Sequence, residues 1–224
     1  MLRRSFDLLL SVIGLLVCIP VLLPVLVLVW LEDKQSPFYI APRVGRYGLP
    51  FQMVKIRSMR ADADSSGVSS TSNDDSRITP IGHFVRRFKI DELAQLWNVM
   101  IGEMSLVGPR PQVQSGVDLY SSRERALLSV KPGMTDFASI VFSDEGTILA
   151  GHADPDAAYN NLIRPGKSLL GLFYVEKNSF MVDVFLVILT IVAIFSKKYA
   201  LKGMRVLLKK MQAPEKILLL ASRE

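Results

Sequence analysis

Asp91 and Glu92 are adjacent carboxylates at the head of an amphipathic stretch. Arg86, Arg87 and Lys89 come just before them, Lys55 and Arg57 lie upstream, and Arg110 lies downstream between Pro109 and Pro111. Two acids among many cations suit a polyphosphate and a divalent ion. A hard cation such as Mg²⁺ bridges carboxylate and phosphate oxygens, while guanidinium forks hold the remaining oxygens. A carboxylate can also attack phosphorus directly. The plain alternative is structural: Asp91 caps a helix and Glu92 is a first-turn acid favoured by the helix dipole. The residues alone leave both open, together with a membrane-attached scaffold or a module that binds anionic lipid.

The elements that must position these groups follow from periodicity. Ile90, Leu93, Leu96, Trp97, Met100 and Ile101 recur at spacings of three and four, so a helix with Trp97 in the core is expected. Pro109 and Pro111 hold Arg110 on a stiff, extended backbone. Phe38-Tyr-Ile40 and Phe51-Gln-Met-Val54, separated by Gly45, Gly48 and Pro50, predict a small hairpin. Residues 61–77 are polar and of low complexity, which predicts a mobile loop. Asp62, Asp64 and Gly67 mimic the start of a calcium loop, but its twelfth position would be Asn73, so calcium is not expected.

Leu8 to Leu31 carries no charge. Twenty-four helical residues span about 36 Å, enough for a bilayer core. Pro20 and Pro24 interrupt the run, and basic residues flank both ends: Arg3 and Arg4 before it, Lys34, Arg43 and Arg46 after it. The positive-inside tendency keeps both flanks cytoplasmic. A helix that enters, breaks at Pro20 and Pro24, and returns fits both facts; a spanning anchor fits the length. Phe180–Phe195 carries Asp183 and is short for a span, so an interfacial or core-facing helix is expected. Leu201 to Leu220 is basic and amphipathic.

Composition narrows the class. The chain has 224 residues, is 50% hydrophobic, and has a formal charge of +6, with mean hydropathy +0.29. One cysteine, Cys18, excludes an intrachain disulfide, and two distant histidines make a His-based metal site unexpected. Positive charge is spread out with no nucleic-acid motif, so no nucleic-acid partner is expected.

Ile90-Asp-Glu-Leu-Ala-Gln-Leu-Trp-Asn-Val-Met-Ile-Gly-Glu-Met-Ser-Leu-Val-Gly-Pro-Arg-Pro111 closely resembles the signature of the bacterial sugar transferase family, the monotopic phosphoglycosyl transferases. Arg4-Ser-Phe-Asp7, Arg43-Val-Gly45, Lys55-Ile-Arg-Ser-Met59, Lys131-Pro-Gly-Met-Thr135 and Leu172–Ser179 fit in register, in the small form without a multi-helix N-terminal extension. The resemblance implies transfer of a sugar 1-phosphate from a UDP-sugar to polyprenyl (undecaprenyl) phosphate, giving UMP, by a ping-pong route. It implies Asp91 as nucleophile, Glu92 and Asp91 as Mg²⁺ ligands, and Lys55, Arg57, Arg86, Pro109, Arg110 and Pro111 as phosphate- or substrate-binding residues. It further implies a bacterial inner (cytoplasmic) membrane location with the site on the cytoplasmic face. The oligomeric state stays open. The expected fold is helix-rich α+β and monotopic. It comprises a re-entrant helix-break-helix (1–34), a catalytic domain with a short hairpin (35–200) and a basic amphipathic tail (201–224). Two departures stand out. Ile19 replaces a serine before the break proline, and Asp136-Phe-Ala-Ser139 replaces the usual continuation after Thr135.

Overall fold

A computed structural model describes residues 2–68 and 70–222. Met1, Ser69, Arg223 and Glu224, which belong to the expected membrane segment, polar loop and tail, lie outside the described residues. Helix α1 runs Leu2–Asp33 with Pro20 and Pro24 inside it. The segment thus stays helical through both prolines, which mark the place where it can bend rather than a gap between two helices. Each proline forfeits only one backbone bond, to the carbonyls of Leu16 and Pro20, and the surrounding turns carry the helix across both.

One stripe of α1 faces the rest of the protein over its whole length. Asp7, Ser11, Val25 and Val29 are buried, and Gly14 between them lies so close to Leu96 that a Cβ would meet its Cδ1 at 3.1 Å. Their spacings of four, three, eleven and four are whole helical turns, so they share one face of the helix. The first turns are tied down by Arg4, which donates to the carbonyls of Val99 and Met100, both at 2.6 Å. Asp7 accepts from the Ser105 hydroxyl and the Leu106 N–H. The last turn is tied by Asp33 to Arg57, and Glu32 accepts from the Ile81 N–H at 3.2 Å.

The expected hairpin is present: β1 (Phe38–Val44) pairs antiparallel with β2 (Pro50–Ile56), with Tyr39 opposite Lys55. Next come α2 (Pro80–Arg87), α3 (Ile90–Leu93) and α4 (Gln95–Ile101). The single helix expected from Ile90 is thus two short segments meeting at Ala94. Short β3 (Ser105–Val107) and β4 (Gly133–Thr135) run parallel, with α5 (Gln114–Asp118) between them. Helices α6 (Phe137–Val141), α7 (Glu145–Leu149), α8 (Pro155–Ala158) and α9 (Arg164–Lys177) complete the domain with α10 (Phe180–Phe195), α11 (Lys197–Lys210) and α12 (Glu215–Leu220).

The main core joins Phe51, Met104, Phe137, Ile140 and Leu170 to Leu186, Met204 and Leu208. The amphipathic pattern of the C-terminal segment is real, but its apolar side belongs to this core: Leu201, Met204, Leu207 and Leu208 are all buried. Helix α11 runs through position 200. A smaller cluster packs Val25 and Val29 of α1 against Ile56, Val85, Ile90 and Ala94. Trp97, expected in the core, is 49% exposed, because α4 turns Leu96 and Val99 inward instead.

The polar loop 61–77 is organised by Arg77. Its guanidinium pairs with Asp75 at 2.7 Å and donates to the Ser66 hydroxyl and to the Val68 and Ser70 carbonyls.

Candidate active site

Three segments meet at the dyad. β2 supplies Lys55, α3 supplies Asp91 and Glu92, and the extended chain after β3 supplies Arg110. Lys55 Nζ lies 3.8 Å from Asp91 Oδ2 and 3.7 Å from Glu92 Oε1. Arg110 Nη2 donates to the same Glu92 oxygen at 2.6 Å.

Local backbone explains how each group arrives. Lys89 adopts a left-handed conformation, φ 56°, and reverses the chain into α3. Ile90 and Ala94 then anchor α3 in the small core against α1. The capping alternative is thereby removed: Asp91 lies inside α3, and the preceding Lys89 occupies the cap position. Asp91 is 5% exposed, and its Oδ1 is buried without a hydrogen-bond partner. A lone buried carboxylate oxygen costs free energy unless a ligand engages it.

Arg110 is placed by close backbone contact. A Cβ on Gly108 would sit 2.4 Å from the Lys131 carbonyl oxygen, so only glycine allows the chain to run this near to β4. The Gly108 N–H donates to Thr135 and the Gly133 N–H to Pro109. Pro109 and Pro111 are buried on either side of the half-buried Arg110.

Electrostatics divide the dyad. Burial pushes the Asp91 carboxyl above its ordinary range, with Lys55 opposing the shift. Burial acts on Glu92 in the same sense, but the charges of Arg110, Lys55 and Lys89 outweigh it and hold Glu92 well below the usual range. Burial and the Arg110 charge lower Lys55. Arg110 is raised, chiefly by Glu92. One ionised, paired carboxylate thus lies beside one desolvated carboxylate with a free oxygen. This is the arrangement a nucleophile and a charge anchor require.

Of the other expected residues, Arg86 is half-buried and adds positive potential at Asp91 and Lys55. Arg57 is not brought to the dyad. It donates to Asp33, to the Ser36 carbonyl at 2.8 Å and to the Gln35 carbonyl, which ties α1 to the domain. The physical reason is that β2 ends at Ile56, so strand alternation no longer aligns residue 57 with residue 55.

Several contributors carried no legible signal. Asn98 is 1% exposed; its side chain accepts from the Val54 N–H and donates to the Gln52 carbonyl and to Glu103, pinning α4 to the strand that bears Lys55. Gln95, one turn beyond Asp91, is buried with Nε2 unpaired. Beside Arg110 opens a cavity of about 60 Å³, lined among others by Tyr120, Asp136, Tyr159, Asn160 and Lys167.

Two carboxylates with a free oxygen suit an ion that keeps several waters and takes its remaining ligands from substrate phosphates, as Mg²⁺ does. Among the described residues no cluster of three or more His, Cys, Asp or Glu is poised to hold a metal by protein ligands alone.

Comparison with known proteins agrees with the motif. The chain is 40% identical over 152 residues to a UDP-galactose-lipid carrier transferase of Erwinia amylovora, covering 60% of this chain and 31% of that protein. It is 36% identical over 200 residues to an undecaprenyl-phosphate glucose phosphotransferase of Komagataeibacter xylinus, covering 84% and 35%. It is 32% identical over 190 residues to the uncharacterized sugar transferase EpsL of Bacillus subtilis (strain 168), covering 85% of each. The chain therefore spans about a third of the length of the first two relatives. Residues 1–197 match the bacterial sugar transferase family, and with the likeness to EpsL over 85% of both chains this places the chain in that family.

Proposed function

We propose that the protein transfers a sugar 1-phosphate from a UDP-sugar to polyprenyl phosphate through a covalent intermediate on Asp91. The observation that carries this reading is the buried, unpartnered Oδ1 of Asp91 beside Lys55 and the Glu92–Arg110 pair. Asp91 attacks the sugar-bearing phosphorus, an O–P bond forms, and the bond to the bridging oxygen breaks, releasing UMP. A polyprenyl phosphate oxygen then attacks the phosphosugar and frees the carboxylate. The second step needs no general base, because the polyprenyl phosphate is already ionised. Lys55 and Arg110 stabilise charge on the transferring phosphoryl group. Asp91 and Glu92 are the residues that would hold Mg²⁺, which neutralises diphosphate charge when bound.

The same reading includes attachment to the cytoplasmic face of the membrane by a re-entrant α1. Both ends of α1 dock on one domain, through Arg4 and Asp7 at the start and Glu32 and Asp33 at the end. Its outer face exposes Leu9, Leu16, Val17 and Leu23, each at least 58% accessible. Trp97, Phe84, Phe88 and the α10 residues Phe185, Ile188 and Ile191 add further exposed apolar surface. That much apolar surface argues for lipid contact. A helix tied at both ends to a single domain supports both ends on one side.

The test is UMP release from a panel of UDP-sugars with undecaprenyl phosphate and Mg²⁺, comparing wild type with Asp91→Asn. Release by wild type alone, with a trapped phosphosugar adduct on Asp91, supports the reading. Equal release by Asp91→Asn overturns the covalent route. Cysteines placed at Leu2 and Lys34 should both label from the cytoplasm; opposite labelling restores a spanning helix.

A further inference from the structure

We propose that the cavity beside Arg110 receives the sugar ring of the donor, and that Asp136 and Asn160 select which sugar is accepted. This rests on the transfer reading above and extends it to substrate choice.

Position comes first. Arg110 both contacts Glu92 and lines the cavity. A ring attached to a phosphoryl group at the dyad can therefore reach it. The volume of about 60 Å³ equals the space of on the order of four to six waters. That suits one small ring and excludes a polyprenyl chain.

Charge comes second. Each cation on the wall already has a carboxylate: Arg110 has Glu92, Lys167 has Glu145, and Arg164 has Glu124 at 3.6 Å. These pairs leave the wall with no excess of positive charge. The wall instead adds the Asp136 carboxylate, 2% exposed, whose Oδ1 accepts from the Ser139 N–H and hydroxyl at 2.7 Å.

Chemistry comes third. A hexose is neutral and presents hydroxyl donors and acceptors around its rim. A carboxylate, an amide and the phenols of Tyr120 and Tyr159 match such a rim, and aromatic faces pack on sugar C–H groups.

The experiment uses the full chain in a lipid bilayer nanodisc. It measures kcat/KM for UMP release from UDP-glucose, UDP-galactose and their N-acetylamino counterparts, and inhibition by free UMP. The variants are Asp136→Asn, which keeps the acceptor that Ser139 needs, and Asn160→Leu at an exposed position. The expected result is a change of about tenfold or more in kcat/KM that differs between donors, with UMP inhibition unchanged. A parallel loss of UMP affinity would make the cavity a nucleoside site and overturn the proposal. Unchanged kinetics for every donor would overturn it too. If wild type releases no UMP from any donor, the transfer reading itself fails and this inference with it.

Discussion

Arg110 Nη2 lies 2.6 Å from Glu92 Oε1, and both side chains are largely shielded from water. The pair orients the guanidinium so that its remaining donors are free for phosphate, while Glu92 stays ionised. Arg110→Lys keeps the charge but loses the planar fork. We expect kcat/KM for UMP release to fall by about tenfold or more, with Arg110→Gln lower by about a further tenfold. Retention of wild-type kcat/KM by the glutamine variant would remove Arg110 from the phosphate site.

Gly108 and Gly133 cross with their backbones in contact. A Cβ on Gly133 would fall 2.1 Å from the Gly108 nitrogen, and a Cβ on Gly108 2.4 Å from the Lys131 oxygen. Neither backbone can move without breaking the β3–β4 pairing that sets Arg110. Gly108→Ala should cost about 3 kcal/mol or more, seen as a lowered urea midpoint. An unchanged midpoint would mean that this crossing is slack.

The dyad and its cations were readable as residue types, although the residues alone left a purely structural reading open. Their convergence was not. Lys55 and Arg57 look equivalent in sequence, yet one reaches the dyad and the other clamps α1, because the strand ends between them. The hairpin and the bounds of α10 were legible from turn residues and an apolar run broken only by Asp183 and Thr190. The inward face of α11 was not separable from a membrane-facing one, because periodicity reports a face but not its partner. Trp97 shows the same limit: spacing put it in a helix, and only packing decided that Leu96 and Val99 face inward.

Asp7 joins α1 to β3, with Oδ1 accepting from the Leu106 N–H at 3.0 Å and Oδ2 from the Ser105 hydroxyl at 2.8 Å. The site is buried, so Asp7→Ala strands a backbone donor. We expect a loss of about 1–3 kcal/mol and faster proteolysis within α1. Asp7→Asn keeps an acceptor for Leu106 and should lose less. Equal melting temperatures for wild type and Asp7→Ala would show that α1 docks by apolar contact alone.

The loop 61–77 should loosen in acid before the core does. Hydrogen bonds from Arg77 hold the Asp75 carboxyl below its unperturbed value of 3.8, against some burial, and Asp75 raises Arg77 in return. A depressed carboxyl stabilises the fold fully above its unfolded value. That contribution falls away as pH drops below about 3.8 toward the folded value, when the unfolded chain binds the proton first. Arg77 stays charged throughout, so the loss belongs to Asp75. Limited proteolysis with an acid-active protease should cut within 61–77 increasingly as pH falls through that window. Asp75→Asn should be cut there at neutral pH as well. Wild-type resistance in Asp75→Asn would show that the carbonyl acceptors of Arg77 hold the loop without the ion pair.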